Sequence, residues 1–147
     1  MTLHMDRGLN RAVVEAAGAV FDEAILEHIY RPRVGDVYVL PGYGLPVPHV
    51  LVAVTPEWRG GQVEDRDLVR CYRDLMDMAW RMNIERLAVP VIGTGKHQFA
   101  LPRAARLTLQ GLRERMPDSL KELRIVCGSN AAYTAFSERL RVTGEER

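Results

Sequence analysis

The stretch Leu87-Ala88-Val89-Pro90-Val91-Ile92-Gly93-Thr94-Gly95-Lys96-His97-Gln98-Phe99 decides how the chain is read. Its first six residues are apolar, too short a run for a helix and bounded by glycine, so they read as a buried strand. Two glycines then punctuate a polar loop, which Ala100 and Leu101 close. Pro102 suits a first helical turn and opens a helix over residues 102–116. Strand, glycine loop, helix is the order that builds anion sites in α/β proteins. Loop N–H groups converge on one concavity, and the helix start adds the positive end of its dipole. Gly93 and Gly95 let the backbone approach a phosphate, Thr94 adds a hydroxyl donor, and Lys96 is a flexible point charge. The pattern is neither the phosphate loop ending in Lys-Ser/Thr nor the six-residue dinucleotide fingerprint. Taken alone, it fits an ordinary strand-to-helix turn equally well.

Working outward, residues 86–92 are the strand and residues 65–82 before it form an amphipathic helix. Leu68, Cys71, Tyr72, Leu75, Met78, Ala79 and Met82 share one face of that helix. Residues 123–127 are the last strand, and Ser129 or Asn130 caps a final helix through Leu140. Upstream, residues 49–54 are valine-rich and nearly continuously apolar, the mark of a buried strand. Residues 37–40 are another strand, preceded by a turn at Gly35-Asp36 and ended by Pro41-Gly42. Two helical repeats come first. One covers residues 8–17 (Leu9, Ala12, Val13, Ala16, Ala17) with Gly18 as its C-cap, and the other covers residues 19–30 (Phe21, Ile25, Leu26, Ile29). Helices separated by apolar strands imply a three-layer α/β/α fold with a mixed, mostly parallel sheet, whose ligands bind at the carboxyl ends of strands. The 93–99 loop, the 128–130 loop and residues 6–10 are the candidate walls of one cleft.

The chain's 147 residues predict a single domain over 1–147, with an ordered core at 6–141 and a polar tail at 142–147. A hydrophobic fraction of 47% and a formal net charge of +1 fit a globular composition and argue against a nucleic-acid or membrane partner. No run is long and apolar enough to span a bilayer, and no signal peptide is visible, so the cytoplasm is the expected compartment. Cys71 and Cys127 sit in apolar contexts and are expected to be buried thiols in a reducing compartment. His4, His28, His49 and His97 have no metal-ligand spacing, so neither a metal nor a cofactor is expected. Asp36 is expected to turn the chain, Trp58 and Trp80 to pack, and Tyr43 either to pack or to cover a ligand.

Four stretches together resemble the macro domain family. Gly35-Asp36-Val37-Tyr38-Val39-Leu40-Pro41-Gly42-Tyr43-Gly44-Leu45-Pro46 is similar to its strand and Pro/Ala-Gly-x-x-Leu-Pro turn. Residues 49–58 are similar to its next strand and Pro-x-Trp. Residues 89–99 with Ala104-Ala105-Arg106 are similar to its phosphate loop and following helix, and residues 8–18 to its helix ending in Ala-Ala-Gly. The resemblance covers about residues 8–140 and implies binding of ADP-ribose or a related nucleotide. Gly93, Thr94, Gly95, Lys96 and His97 would line the diphosphate, Phe99 would lie near the distal ribose, and Gly8 would end a second diphosphate loop.

The chain also departs from the family pattern. Family members open with two strands and an Asn-Ala-Ala-Asn run, and this sequence starts after them, which predicts a sheet reduced by those strands. Hydrolytic members often carry Asp where Asn10 stands, and a neutral amide cannot act as a general base. Met5-Asp6-Arg7 replaces a glycine run, Gln98 stands where Gly is usual, and Gly128 stands where an adenine-stacking aromatic is common. The expectation is therefore an altered site with weak or no ADP-ribosyl hydrolase activity and no catalytic residue assigned. Any activity would be ADP-ribosyl hydrolysis or dephosphorylation of an ADP-ribose phosphate. The alternative is a structural or interaction module that binds no nucleotide. In the family's sheet the missing central strand lies between the strands matching 49–54 and 86–92. Those two strands either pair directly or are covered by a second copy, and a homodimer is expected.

Overall fold

The computed structural model describes residues 8–92 and 99–142, apart from the side chains at 8, 10 and 142. Its elements are α1 (Gly8–Ala17), α2 (Ala19–His28), β1 (Val37–Pro41), β2 (His49–Ala53), α3 (Gln62–Arg81), β3 (Arg86–Pro90), α4 (Leu101–Glu114), β4 (Glu122–Val126) and α5 (Asn130–Val142). Each element predicted from sequence is present, with ends shifted by a few residues. The chain divides into two compact units, Met1–Val54 and Thr55–Arg147. The described ladders are an antiparallel pair, β1 with β2, and a parallel pair, β3 with β4.

In the first unit, Gly18 separates α1 from α2 at φ 96°, and its N–H donates to the Val14 carbonyl at 2.9 Å. Asp36 turns the chain as expected: its Oδ2 accepts from the Arg33 N–H at 2.8 Å and the Tyr38 hydroxyl at 3.0 Å. β1 and β2 pair from Val37 opposite Ala53 to Pro41 opposite His49. The turn between them explains its glycines. A Cβ on Gly42 would run into the Val47 carbonyl, and one on Gly44 would sit 2.9 Å from the Ala16 and Ala17 carbonyl oxygens. Gly44 therefore lets the turn lie against the end of α1, where its N–H donates to the Ala17 carbonyl at 3.0 Å.

The core of this unit joins Ala17, Phe21, Ala24, Ile25 and Ile29 to Leu40 and Val52. Tyr43 packs edge-on against Phe21, with ring centroids 6.2 Å apart. The predicted helical faces need correction. Leu9 and Leu26 are exposed, because Ala17, Ala24 and Ile25 already fill the side that meets the strands. β2 is also less buried than its composition suggested, and within the strand only Val52 is fully covered.

In the second unit, α3 starts three residues earlier than predicted. Glu64 reaches back to accept the Gly61 N–H at 3.0 Å, which caps the helix start. α3 ends at Asn83, held at φ 53°, where the Asn83 N–H donates to Trp80 and the Ile84 N–H to Ala79. This is the pair of bonds that closes a helix through a left-handed residue. The buried face of α3 includes Val69 and Met76 in addition to Leu68, Cys71, Tyr72, Leu75 and Ala79, whereas Met78 and Met82 are only half-buried.

α4 lies parallel to α3, and Asp65–Arg103, Arg73–Glu114 and Asp77–Arg115 bridge them at 3.0, 3.3 and 2.6 Å. Gly111 sets their closest approach, since a Cβ there would be 2.6 Å from both the Tyr72 Cβ and the Val69 carbonyl oxygen. β3 and β4 alternate in burial, so the expectation of a continuously buried 86–92 strand fails. Only Val89 is fully covered within β3.

Candidate functional site

β3 and β4 are parallel and in register to Pro90 opposite Val126, so the chain leaves both strands at the same edge of the ladder. The Val91 N–H donates to the Val126 carbonyl at 3.3 Å and carries the pairing one step further. α4 and α5 start after the two connections that leave this edge. Parallel strands ending together, each followed by a helix start, make the position in an α/β fold where anions are favoured.

On the β3 side, Gly93, Thr94, Gly95, Lys96 and His97 lie outside the described residues, as does Gln98. Phe99 is described, and only 2% of it is exposed. Its ring fixes the point where the chain returns to the core, and Ala100 follows as the N-cap residue of α4 with Pro102 in the first turn. On the β4 side, the Ser129 hydroxyl oxygen accepts the Ala132 N–H at 3.1 Å and caps α5, as the sequence allowed. A Cβ at Gly128, where the family resemblance expects an aromatic, would meet nothing within 4 Å. Gly8 and Asn10 lie in the first turn of α1, and their side chains, like Asp6, fall outside the described residues.

Two groups beneath this edge were not legible in the sequence. Tyr72 of α3 and Thr108 of α4 are fully buried, and neither hydroxyl has a hydrogen-bond partner among the described residues. Burial pushes the Tyr72 phenol far above its usual value, with the Thr108 hydroxyl and the Ile92 backbone acting in the opposite direction. Ile92 is the last described residue before Gly93, and its backbone is near enough to the Tyr72 phenol to act on it. Helical periodicity placed Tyr72 on a core face and carried no signal for its polar end.

Trp58 packs as expected. The Arg103 guanidinium lies 5.0 Å from its ring centroid while hydrogen-bonding both Asp65 oxygens at 3.0 and 3.1 Å. Trp80, expected to pack, is instead 68% exposed on the outer side of α3. Cys71 is buried, but Cys127 is only half-buried, at the edge where β4 ends, and desolvation raises its thiol pKa. Among the described residues no group of His, Cys, Asp or Glu is placed to hold a metal ion, and no helix is long and apolar enough to cross a membrane.

The family model for the Macro domain matches residues 1–108, and the chain belongs to that family. A macro domain-containing protein of Cupriavidus necator is 32% identical over 139 residues, spanning 90% of this chain and 80% of that relative. Among solved structures, the Oceanobacillus iheyensis macrodomain with ADP superposes with a TM-score of 0.81 at 24% identity, covering 95% of this chain and 77% of that one. The Trypanosoma brucei macrodomain in complex with ADP-ribose gives 0.82 at 22% identity, covering 91% and 57%. The chain therefore has the α/β macrodomain fold.

Proposed function

We propose that this chain is a single macro domain that binds ADP-ribose or a related nucleotide and hydrolyses ADP-ribosyl bonds weakly or not at all. The observation that carries the reading is the β3–loop–α4 arrangement. β3 ends at Pro90 and α4 starts at Leu101, with Gly93-Thr94-Gly95 between them in the sequence, and β4, parallel to β3, leads to Gly128, where a Cβ would meet nothing within 4 Å. Macrodomains of the same fold solved with ADP and with ADP-ribose support the ligand class. Gly93, Thr94, Gly95, Lys96 and His97 are assigned to the diphosphate, Gly8 and Asn10 to further ligand contacts, and Phe99 to the distal ribose. Weak turnover follows from Asn10, whose neutral amide cannot take a proton from water. The expected homodimer is part of the same proposal, supported by Val20, Leu26 and Tyr30, which leave apolar surface exposed along and just beyond α2.

Isothermal titration with ADP-ribose tests the reading, with AMP as the comparison lacking the diphosphate. Saturable heat that is stronger for ADP-ribose supports it. No heat with either ligand would favour the interaction-module alternative.

A further inference from the structure

A second candidate site lies on the helical surface of the Thr55–Arg147 unit, in the groove between α3 and α4. The groove has a volume of about 700 Å³, in the size range of ligand pockets. Four arginines line it, Arg66 and Arg73 from α3 and Arg103 and Arg106 from α4, against the carboxylates of Asp65 and Glu114. Two of the arginines are engaged, Arg103 with Asp65 and Arg73 with Glu114. Arg66 and Arg106 are exposed and have no ion-pair partner among the described residues. The Arg73 Nε is buried and has no hydrogen-bond partner among the described residues. The two parallel helices also point their positive ends toward the Gly61 and Arg103 end of the groove. Unspent positive charge and a buried guanidinium donor call for an anion.

The kind of anion follows from the other groups present. Asp65, Glu114 and the side-chain amides of Gln62 and Gln110 line the same groove. A DNA phosphodiester backbone offers only acceptors, so it leaves the carboxylates and glutamine oxygens of the groove without a donor. Among the described residues no aromatic side chain lines the groove, so a base has no ring there to stack on. A peptide with Asp or Glu side chains brings both partners. Its carboxylates meet Arg66 and Arg106 in bidentate pairs, and its backbone N–H groups meet Asp65, Glu114 and the glutamine oxygens. We propose that the α3–α4 groove docks an acidic peptide segment of a partner protein, with Arg66 and Arg106 as the two charge readers. Its test needs no nucleotide, so failure of one reading leaves the other standing.

The test is fluorescence anisotropy of a labelled peptide of alternating Glu and Gly, titrated with the whole chain at low salt. The same peptide with Gln for Glu and a labelled oligothymidylate serve as competitor classes. The acidic peptide is expected to bind saturably and more weakly as salt rises, while the other two do not. Arg66→Ala/Arg106→Ala should weaken binding roughly tenfold or more. Arg66→Lys/Arg106→Lys keeps the charge and should recover part of it. Both side chains are exposed, so circular dichroism and the melting temperature should be unchanged. No saturation up to about 1 mM protein, equal binding of oligothymidylate, or full binding by the double alanine variant would each overturn the proposal.

Discussion

Replacing Gly111 by alanine tests how closely α3 and α4 pack. Propensity alone says the change should help, since alanine in a helix interior is about 1 kcal/mol better than glycine. The structure says the opposite. The new Cβ would lie 2.6 Å from the Tyr72 Cβ and the Val69 carbonyl oxygen, about 0.8 Å inside ordinary contact. Neither atom can rotate away, so the helices must separate. A gap of about 0.5–1 Å forfeits a quarter to a half of each dispersion contact it opens. The pairs at risk include Leu68, Val69, Tyr72 and Met76 against Leu107, Thr108 and Leu112, all buried. Overpacking of this kind costs about 1–3 kcal/mol, and the immobile backbone contact puts it at the upper end. After the propensity gain, the net loss is about 1–2 kcal/mol. With a urea m-value of about 2 kcal/mol/M, the midpoint should fall by about 0.5–1 M at constant slope. Urea unfolding followed by circular dichroism measures it. Gly128→Ala, which adds a methyl to open space, is the control and should be near neutral. A raised midpoint for Gly111→Ala would show that propensity governs and that the helices do not touch at this glycine.

Asn83→Ala should destabilise by about 1 kcal/mol and Asn83→Gly should not, because the residue ends α3 at φ 53°; thermal melts decide. Gly128→Phe should tighten ADP-ribose binding several-fold in calorimetry by giving the base a ring to stack on, and unchanged affinity would place the base elsewhere. Tyr72 predicts an alkaline effect. Its phenol is raised in the folded chain, so the unfolded chain loses that proton first as pH passes about 10, and stability falls as pH rises. Tyr72→Phe should flatten that decline and, by removing an unpartnered buried hydroxyl, leave neutral-pH stability unchanged or raise it by about 1 kcal/mol. Urea midpoints at pH 8 and above pH 10 (values set by the phenol's usual range) separate the outcomes. A variant with the wild-type slope would assign the alkaline loss to other groups.

The sequence by itself determined the elements, their order and the glycine turns, because these are local. Apolar period separates α3 from β3, Gly18 and Gly35 break the chain where φ must be positive, and Asp36 closes its own turn within three residues. Gly42 and Gly44 were legible as part of a family pattern, but only the hairpin's contact with the end of α1 gives the reason for them. Tertiary structure decided everything that joins distant positions. Asp65 meets Arg103 and Asp77 meets Arg115 across thirty-eight residues, a separation set by two helices, one before and one after β3 in the chain, brought parallel to each other. That packing made Gly111 a contact, buried the Tyr72 and Thr108 hydroxyls together, turned Trp80 outward and gathered four arginines into one groove. Periodicity names the face of a helix that is apolar. What that face meets depends on which other segment the fold lays beside it, and no local pattern carries that information.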